Sequence, residues 1–307
     1  MLAIVAKPRG FCAGVERAIR AVELALERYG APVYVRKEIV HNVHVVERLR
    51  ARGAVFVDEL DAVPTGAVTI LSAHGSPPGV YADARRRGLQ LIDATCPLVR
   101  KVHVEVRRYA QRGYRIILIG HAGHDEVAGT RGQAPEAVIL VERPADVARL
   151  ELAPTEKGII LTQTTLSQDD AREVVIALLA RFPHLELPPS DDICYATQNR
   201  QNAVKDISGR ISLLLVVGSQ NSSNSRRLTE VARARGVAAH LIDGPENIDP
   251  GWLAGVQRVG VTSGASAPED VVRAVLNYLR EQGVDDVEEV PAPDEGIVFT
   301  LPGVSPA

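Results

Sequence analysis

Three cysteines occur in the 307-residue chain, and each lies where a strand-like or loop segment meets a predicted helix. Cys12 is in RGFCAGV, Cys96 in DATCPLV and Cys194 in DDICYAT, so glycine, threonine, aspartate or proline stands beside each one. A cysteine that only fills space can lie anywhere on an apolar face. The first turn of a helix lowers the pKa of a thiol and favours the thiolate, which binds metals or attacks carbon.

Three thiolates that meet at one point suit an iron–sulfur cluster, because soft ligands select such metals. Three cysteines leave one iron of a four-iron cluster without a protein ligand, and an open metal position is typical of a catalytic site. The sequence has no Cys-x-x-Cys pair, which disfavours a zinc ribbon or a ferredoxin-type cluster. Packing of each cysteine as a small buried hydrophobic residue remains the alternative.

Histidines follow several of the apolar, strand-like runs. His41 is in EIVHN, His74 is in SAHGSPP, and His121 and His124 are in GHAGHDEV. His124 lies two residues before Glu126. A single histidine is more often a surface residue than a functional one, but several at equivalent loop positions favour a site. Imidazoles donate hydrogen bonds to anionic oxygens, and Glu126 beside His124 is suited to moving a proton.

Hydroxyl and amide side chains form three further clusters at predicted strand ends. They are Thr164 and Thr165 in LTQTTLS, Ser222, Ser223 and Asn224 in GSQNSSNSRRL, and Ser266 in TSGASAPED. Each cluster taken alone is explained by capping of the helix that follows. Taken together with the histidines, the clusters favour a pocket for a phosphorylated ligand, because helix starts and hydroxyls bind phosphate oxygens. The chain lacks a Gly-x-x-x-x-Gly-Lys-Ser/Thr loop, which argues against a P-loop nucleotide enzyme.

The elements that must position these residues alternate between apolar strands and amphipathic helices. LAIVAK precedes GVERAIRAVELALERYG, LQLIDAT precedes PLVRKVHVEVRRYAQRG, and LLLVVGS precedes SNSRRLTEVARARG. Pro97 occupies the first position of its helix, where proline is favoured. This alternation predicts an α/β fold with parallel sheets covered by helices on both faces. Ligands bind at the carboxyl ends of such strands.

The cysteines recur at comparable intervals, each before a helix, which is compatible with three similar α/β units. We predict a first domain over residues 13–96, a second over 97–193, and a third over 194–282 that includes the N-terminal strand 1–12. Residues 283–307 are predicted to form a C-terminal tail.

The composition excludes several classes of protein. The chain has 35 Lys plus Arg against 38 Asp plus Glu, without a basic stripe, which argues against a nucleic-acid partner. No apolar run is long enough to cross a membrane, and the N-terminus lacks the charged region of a signal peptide. An odd number of widely spaced cysteines indicates a reducing compartment, so we predict a cytoplasmic protein.

Nine segments of the chain resemble, in order, the motifs of the 4-hydroxy-3-methylbut-2-enyl diphosphate reductase family, also called IspH or LytB. They are GFCAGVERAI, EIVHN, SAHG, DATCPLVRKVH, GHAGHDEV, TQTTLS, DDICYATQNRQ, GSQNSSNSRRL and GASAPED. The segments run from Gly10 to about Asp270 and contain all three cysteines. Asp125 departs from the pattern, since the family often has proline there.

The resemblance implies the last step of the non-mevalonate isoprenoid pathway. Enzymes of this family remove the hydroxyl of (E)-4-hydroxy-3-methylbut-2-enyl diphosphate with two electrons and two protons, giving isopentenyl and dimethylallyl diphosphate. The implied fold has three α/β domains in a pseudo-threefold arrangement around a central [4Fe–4S] cluster. Cys12, Cys96 and Cys194 would hold that cluster, and the substrate hydroxyl would bind the fourth iron. An external ferredoxin or flavodoxin would supply the electrons.

The resemblance also implies roles for individual side chains. Glu126 would be the proton source, relayed through Thr164 and assisted by His124. The residues implied to bind the diphosphate, or to lie close to it, are His41, His74, His124, Thr164, Thr165, Ser222, Ser223, Asn224 and Ser266.

Three other functions remain open at the level of the residues. One is a hydrolase or transferase that uses a cysteine or histidine on a phosphorylated substrate, which leaves two cysteines without a role. Another is a non-catalytic redox or iron sensor, which would require a partner surface that the sequence does not reveal. The third is a metal-free binding protein for phosphorylated ligands, in which serine could replace the cysteines at little cost.

Overall fold

The structure is a computed structural model that describes residues 1–293 and 295–303. Parallel strands form three sheets, and helices alternate with them along the chain. The predicted α/β class with parallel sheets is therefore confirmed. Among the described residues, no helix is long and apolar enough to cross a membrane.

The helices are α1 (Ala13–Tyr29), α2 (Val43–Ala51), α3 (Pro78–Arg86), α4 (Pro97–Gln111), α5 (Asp125–Arg131), α6 (Gln168–Arg181), α7 (Tyr195–Ser208), α8 (Ser223–Ala234) and α9 (Glu269–Glu281). The strands are β1 (Leu2–Val5), β2 (Val33–Arg36), β3 (Ala54–Val57), β4 (Val68–Leu71), β5 (Gln90–Asp93), β6 (Arg115–Ile119), β7 (Val138–Val141), β8 (Gly158–Thr162), β9 (Leu213–Val217), β10 (Ala238–Ile242), β11 (Arg258–Ser263) and β12 (Asp286–Glu289).

The chain divides into two compact units. Unit 1 comprises Met1–Glu16, Val40–Arg48 and Tyr195–Val298, and unit 2 comprises Arg17–Ile39, Leu49–Cys194 and the described residues 299–303. The three domain boundaries given by the sequence stay a prediction.

Unit 1 contains a five-stranded sheet in the order β10-β9-β11-β1-β12. Alternate residues of β1 point to opposite faces, so Ala3 and Val5 join the core beneath α9, and Ile4 joins the core beneath α7 and α8. A strand that is covered on both faces must be apolar at every position, which explains the continuous run LAIV. The segment predicted as a tail contributes β12, which pairs with β1 in parallel.

Unit 2 contains a four-stranded sheet, β3-β2-β4-β5, and a three-stranded sheet, β7-β6-β8. In β6, Ile117 and Ile119 pack with α6, whereas Ile116 and Leu118 pack with α4. Each side chain of this size that is fully buried stabilises the fold by about 1.5–3 kcal/mol. In both units the candidate site residues, with the exception of Cys194, follow the carboxyl ends of buried parallel strands.

Candidate functional site

Each cysteine immediately precedes a helix, as the sequence predicted. Cys12 comes before α1, Cys96 is the N-terminal cap of α4, and Cys194 comes before α7. The backbone N–H of Cys96 donates to Ala73 O at 3.0 Å, and that of Cys194 donates to Thr164 O at 3.0 Å. All three lie in the described part of the chain, and none forms a disulfide.

The surroundings of Cys12 oppose and favour its thiolate at once. Burial raises the pKa of the Cys12 thiol, and the charge of Glu295 acts in the same direction. The guanidinium of Arg200 and the backbone N–H groups of Val15 and Gly14 lower that pKa. A buried thiolate that already receives helix N–H groups is suited to binding a metal, because the metal supplies the remaining positive charge.

The donor set fits an iron–sulfur cluster. Three half-buried thiols, each at the start of a helix, provide soft ligands, and three is one fewer than the irons of a [4Fe–4S] cluster. Cys12 belongs to unit 1, whereas Cys96 and Cys194 belong to unit 2.

Glu126 is a buried acid in the first turn of α5. Its side chain accepts two hydrogen bonds from Thr164: the backbone N–H reaches Oε1 at 2.6 Å, and the hydroxyl reaches Oε2 at 2.9 Å. Burial raises the pKa of Glu126 to about 7, the two bonds from Thr164 act against that rise, and the charge of Asp192 adds to it. Glu126 therefore exchanges its proton near neutral pH, which is the range required of a general acid.

Two predicted histidines lie close to this acid in unit 2. His124 caps α5, and its Nδ1 accepts the backbone N–H of Glu126 at 3.1 Å. The ring of His74 lies edge-on to that of His124, with 6.0 Å between the centroids. The other predicted side chain here is Thr165, whose hydroxyl accepts a hydrogen bond from Gln163 Nε2 at 2.9 Å.

A glycine and a buried histidine position the loop that carries His74. Gly75 has φ of +82°, and a Cβ there would lie 2.6 Å from Cε1 of His103. Burial lowers the pKa of His103 to about 4, so its ring stays neutral and packs under the turn. His103 lies within the segment DATCPLVRKVH, but its residue type and spacing alone predict no role for it.

Lys101 is a second residue that sequence reasoning missed. Its ammonium donates to the backbone oxygens of Ser190 and Asp191 at 3.0 and 3.1 Å, and to Oδ1 of Asp192 at 2.9 Å. Oδ2 of Asp192 accepts the backbone N–H of Thr162 at 3.0 Å. The two carboxylate oxygens of Asp192 thus fix the loop that leads into Cys194, one bonded to Lys101 and the other to Thr162.

We expect Lys101→Met to destabilise the protein by about 3 kcal/mol, because it leaves the buried Asp192 carboxylate without its cation. Lys101 Nζ also lies 3.8 Å from Oε1 of Glu105, whose pKa burial raises to about 7. In the variant Glu105 and Asp192 face each other without this cation. Urea unfolding of the metal-free protein measures the change. Arg108→Met, an exposed change on the same helix, is the control, and equal stability of the two variants would contradict the expectation.

Unit 1 carries the other predicted anion-binding residues. Ser222 caps α8, with Oγ accepting the backbone N–H of Ser225 at 3.3 Å, so its capping role is confirmed. The hydroxyl of Ser266 donates to His41 O at 2.9 Å. Ser223 is buried in the first turn of α8.

Asn224 has the most informative environment of this group. It is 4 % exposed, and neither Oδ1 nor Nδ2 has a hydrogen-bond partner among the described residues. A buried amide without partners is costly, so a ligand whose oxygens accept hydrogen bonds from Nδ2 is favoured there. The start of α8 packs closely against the turn after β11 because Gly264 lacks a side chain: a Cβ there would lie 2.0 Å from Ser225 Oγ.

The fold and these side chains together define a class of protein. It is an α/β protein whose three thiols precede helices and whose buried acid and hydroxyl groups follow the carboxyl ends of parallel strands. The family model described as LytB protein matches residues 3–280. The chain belongs to the LytB protein family.

Similar proteins carry one activity in their names. The chain is 57 % identical over 300 residues to the 4-hydroxy-3-methylbut-2-enyl diphosphate reductase of Nocardia farcinica, covering 97 % of this chain and 89 % of that protein. It is 56 % identical over 299 residues to the enzyme of the same name from Aromatoleum aromaticum, covering 97 % and 96 %. Among solved structures, the E-1-hydroxy-2-methyl-but-2-enyl-4-diphosphate reductase of Plasmodium falciparum superposes with a TM-score of 0.96 at 41 % identity, covering 98 % of this chain and 95 % of that one.

Proposed function

We propose that this chain reduces (E)-4-hydroxy-3-methylbut-2-enyl diphosphate to isopentenyl and dimethylallyl diphosphate, the last step of the non-mevalonate pathway. The observation that carries the proposal is the buried Glu126 bound by Thr164, in an enzyme of the LytB family. Loss of an allylic hydroxyl as water requires an acid near the departing oxygen, and a protonated carboxyl group at neutral pH meets that requirement.

In this proposal Cys12, Cys96 and Cys194 hold a [4Fe–4S] cluster. A cluster bound there would supply a Lewis acid for the departing hydroxyl and a route for the two electrons that the reduction requires. The electrons come from an external ferredoxin or flavodoxin in the cytoplasm, which are the donor and compartment that the sequence analysis predicted.

Glu126 and Thr164 manage the proton. In its protonated form Glu126 donates from Oε2 to the hydroxyl of Thr164, which turns to donate onward to the substrate oxygen. His124 assists by holding the backbone N–H of Glu126, which fixes the start of α5. Protonated Glu126 is the competent form, so its supply decreases as the pH rises through about 7.

The diphosphate is the handle that positions the reacting carbon–oxygen bond. Asn224 is its first anchor, because its buried amide has no other partner among the described residues. The remaining groups in the proposed diphosphate site are His41, His74, His124, Ser222 and Ser266, with Thr164, Thr165 and Ser223 adjacent. The hydroxyl, amide and imidazole groups of these residues donate hydrogen bonds to the diphosphate, and no lysine is among them.

Iron and acid-labile sulfide content of protein purified without oxygen tests the proposal first. We expect about four irons per chain and a broad visible absorption band. The second measurement is reduction of the allylic diphosphate with a chemical reductant, with both product diphosphates separated and quantified. Iron-free protein after anaerobic reconstitution, or release of phosphate instead of reduced products, would favour a hydrolase.

A further inference from the structure

Arg200 in α7 is a charged side chain inside unit 1. Its side chain is 0 % exposed, and among the described residues it is the largest side chain that is fully buried. Nη2 donates to Gly10 O at 2.8 Å, and Nη1 donates to Ala196 O at 3.1 Å. The acceptor at Gly10 lies two residues before Cys12, so the guanidinium is bonded directly to the segment that carries this thiol.

Glu295 is the acid that accompanies this arginine. Nη1 of Arg200 lies 3.1 Å from Oε1 of Glu295, and Asn199 Nδ2 donates to the same oxygen at 3.1 Å. Glu295 follows β12, in the segment that the sequence analysis treated as a tail, and its side chain is 15 % exposed. A buried arginine and a nearly buried carboxylate thus lie together beside the Cys12 segment.

The hydrogen bonds of the pair are incomplete. Nε of Arg200 is buried and has no hydrogen-bond partner among the described residues. A buried donor that remains unpaired costs free energy, and the guanidinium keeps its charge inside unit 1 despite that cost. An electrostatic role towards the Cys12 region accounts for the retention of a full positive charge there. Both charges lie beside the Cys12 segment, because Arg200 is hydrogen-bonded to Gly10 O and Glu295 is hydrogen-bonded to Arg200.

We propose that Arg200 and Glu295 are positioning residues that set the reduction potential of the metal centre bound through Cys12, with Arg200 raising that potential and Glu295 lowering it. The inference rests on the proposed function, since it requires a redox centre at Cys12. Reduction adds one negative charge to the centre, and a buried positive charge stabilises the reduced form. A buried negative charge has the reverse effect, and the interior screens neither of them as water does.

The test is a redox titration of anaerobically purified holoprotein, followed by electron paramagnetic resonance. Arg200→Met is expected to lower the midpoint potential, and Glu295→Gln is expected to raise it. The expected size is on the order of a tenfold change in the ratio of reduced to oxidised centre at fixed potential, or about 59 mV for one electron. The double variant is expected to lie between the two, and Arg200→Lys, which keeps the charge, is expected to lie nearer the wild type than Arg200→Met.

The control is Arg210→Met, which neutralises an exposed arginine of the same unit that pairs with Glu288. Its potential is expected to equal that of the wild type. Opposite shifts distinguish a charge effect from a purely structural one, because loosening the C-terminal segment would move both single variants in the same direction. Shifts of equal sign, or no shift in Glu295→Gln, would overturn the inference.

Iron content separates this inference from the proposed function. Wild-type protein that binds no iron would refute both. Wild-type protein with a cluster and active turnover, together with unshifted potentials in the variants, would refute only the role of the pair. If Arg200→Met loses its cluster, Glu295→Gln decides the question, since glutamine keeps the hydrogen-bonding shape of the side chain.

Discussion

Replacing Cys96 with serine is expected to remove most of the bound iron and to reduce turnover by at least about 10³-fold. A serine hydroxyl is a poor ligand for iron at neutral pH, since the alkoxide is far less accessible than a thiolate. Loss of a Lewis acid worth several kcal/mol corresponds to that factor, because each 1.36 kcal/mol is tenfold in rate. The fold should survive, because Cys96 N–H to Ala73 O and Arg100 N–H to Cys96 O are backbone bonds.

Iron and sulfide content per chain, measured beside turnover, checks this expectation. Val104→Ala is the matched control, since Val104 is on the same helix and 48 % exposed. It should keep wild-type iron and activity. Full iron content in Cys96→Ser would show that Cys96 is not a ligand, and its position at the start of α4 would then be explained by packing alone.

Replacing Glu126 with glutamine is expected to reduce turnover by about 10²–10⁴-fold, the usual contribution of a general acid. Glutamine can still accept the Thr164 N–H and meet its hydroxyl, so the local structure should persist. It has no proton to give at neutral pH. We expect the effect in kcat, with KM for the diphosphate changed little, because the lost interaction belongs to the transition state.

Steady-state kinetics on protein of equal iron content measures the split between kcat and KM. Glu136→Gln removes an exposed carboxylate near α5 and should behave as the wild type. Turnover of Glu126→Gln within a few-fold of the wild type would exclude Glu126 as the proton source.

The pH profile gives an independent check on the same residue. The folded-state pKa of Glu126 is raised to about 7 from its usual range, so the proton is bound below that pH and lost above it. In the wild type, kcat/KM is expected to decrease as the pH rises through about 7. In Glu126→Gln this decrease should disappear from what activity remains, and its persistence would assign the titration to another group.

The class of fold and most of its elements were accessible from the pattern of residues. Amphipathic spacing identified α1, α4 and α8, and apolar runs identified β1, β5 and β9. The sequence analysis did not delimit α5, because seven residues are too few for a helical period to emerge. Strand β12 was missed as well, because DVEE carries three acids and lacks the apolar run of a buried strand; it lies at the edge of its sheet.

The chemical groups of this protein can be predicted from the sequence: three thiols at helix starts, a carboxyl group among histidines, and hydroxyls after strands. Those assignments depend on residue type and local spacing, which the chain spells out directly. How each group behaves depends on tertiary packing. The pKa of Glu126 depends on burial and on the charge of Asp192, which is distant in sequence. Arg200 pairs with Glu295, which lies 95 residues further along the chain. Burial and long-range charge arise from packing, so no local pattern encodes them.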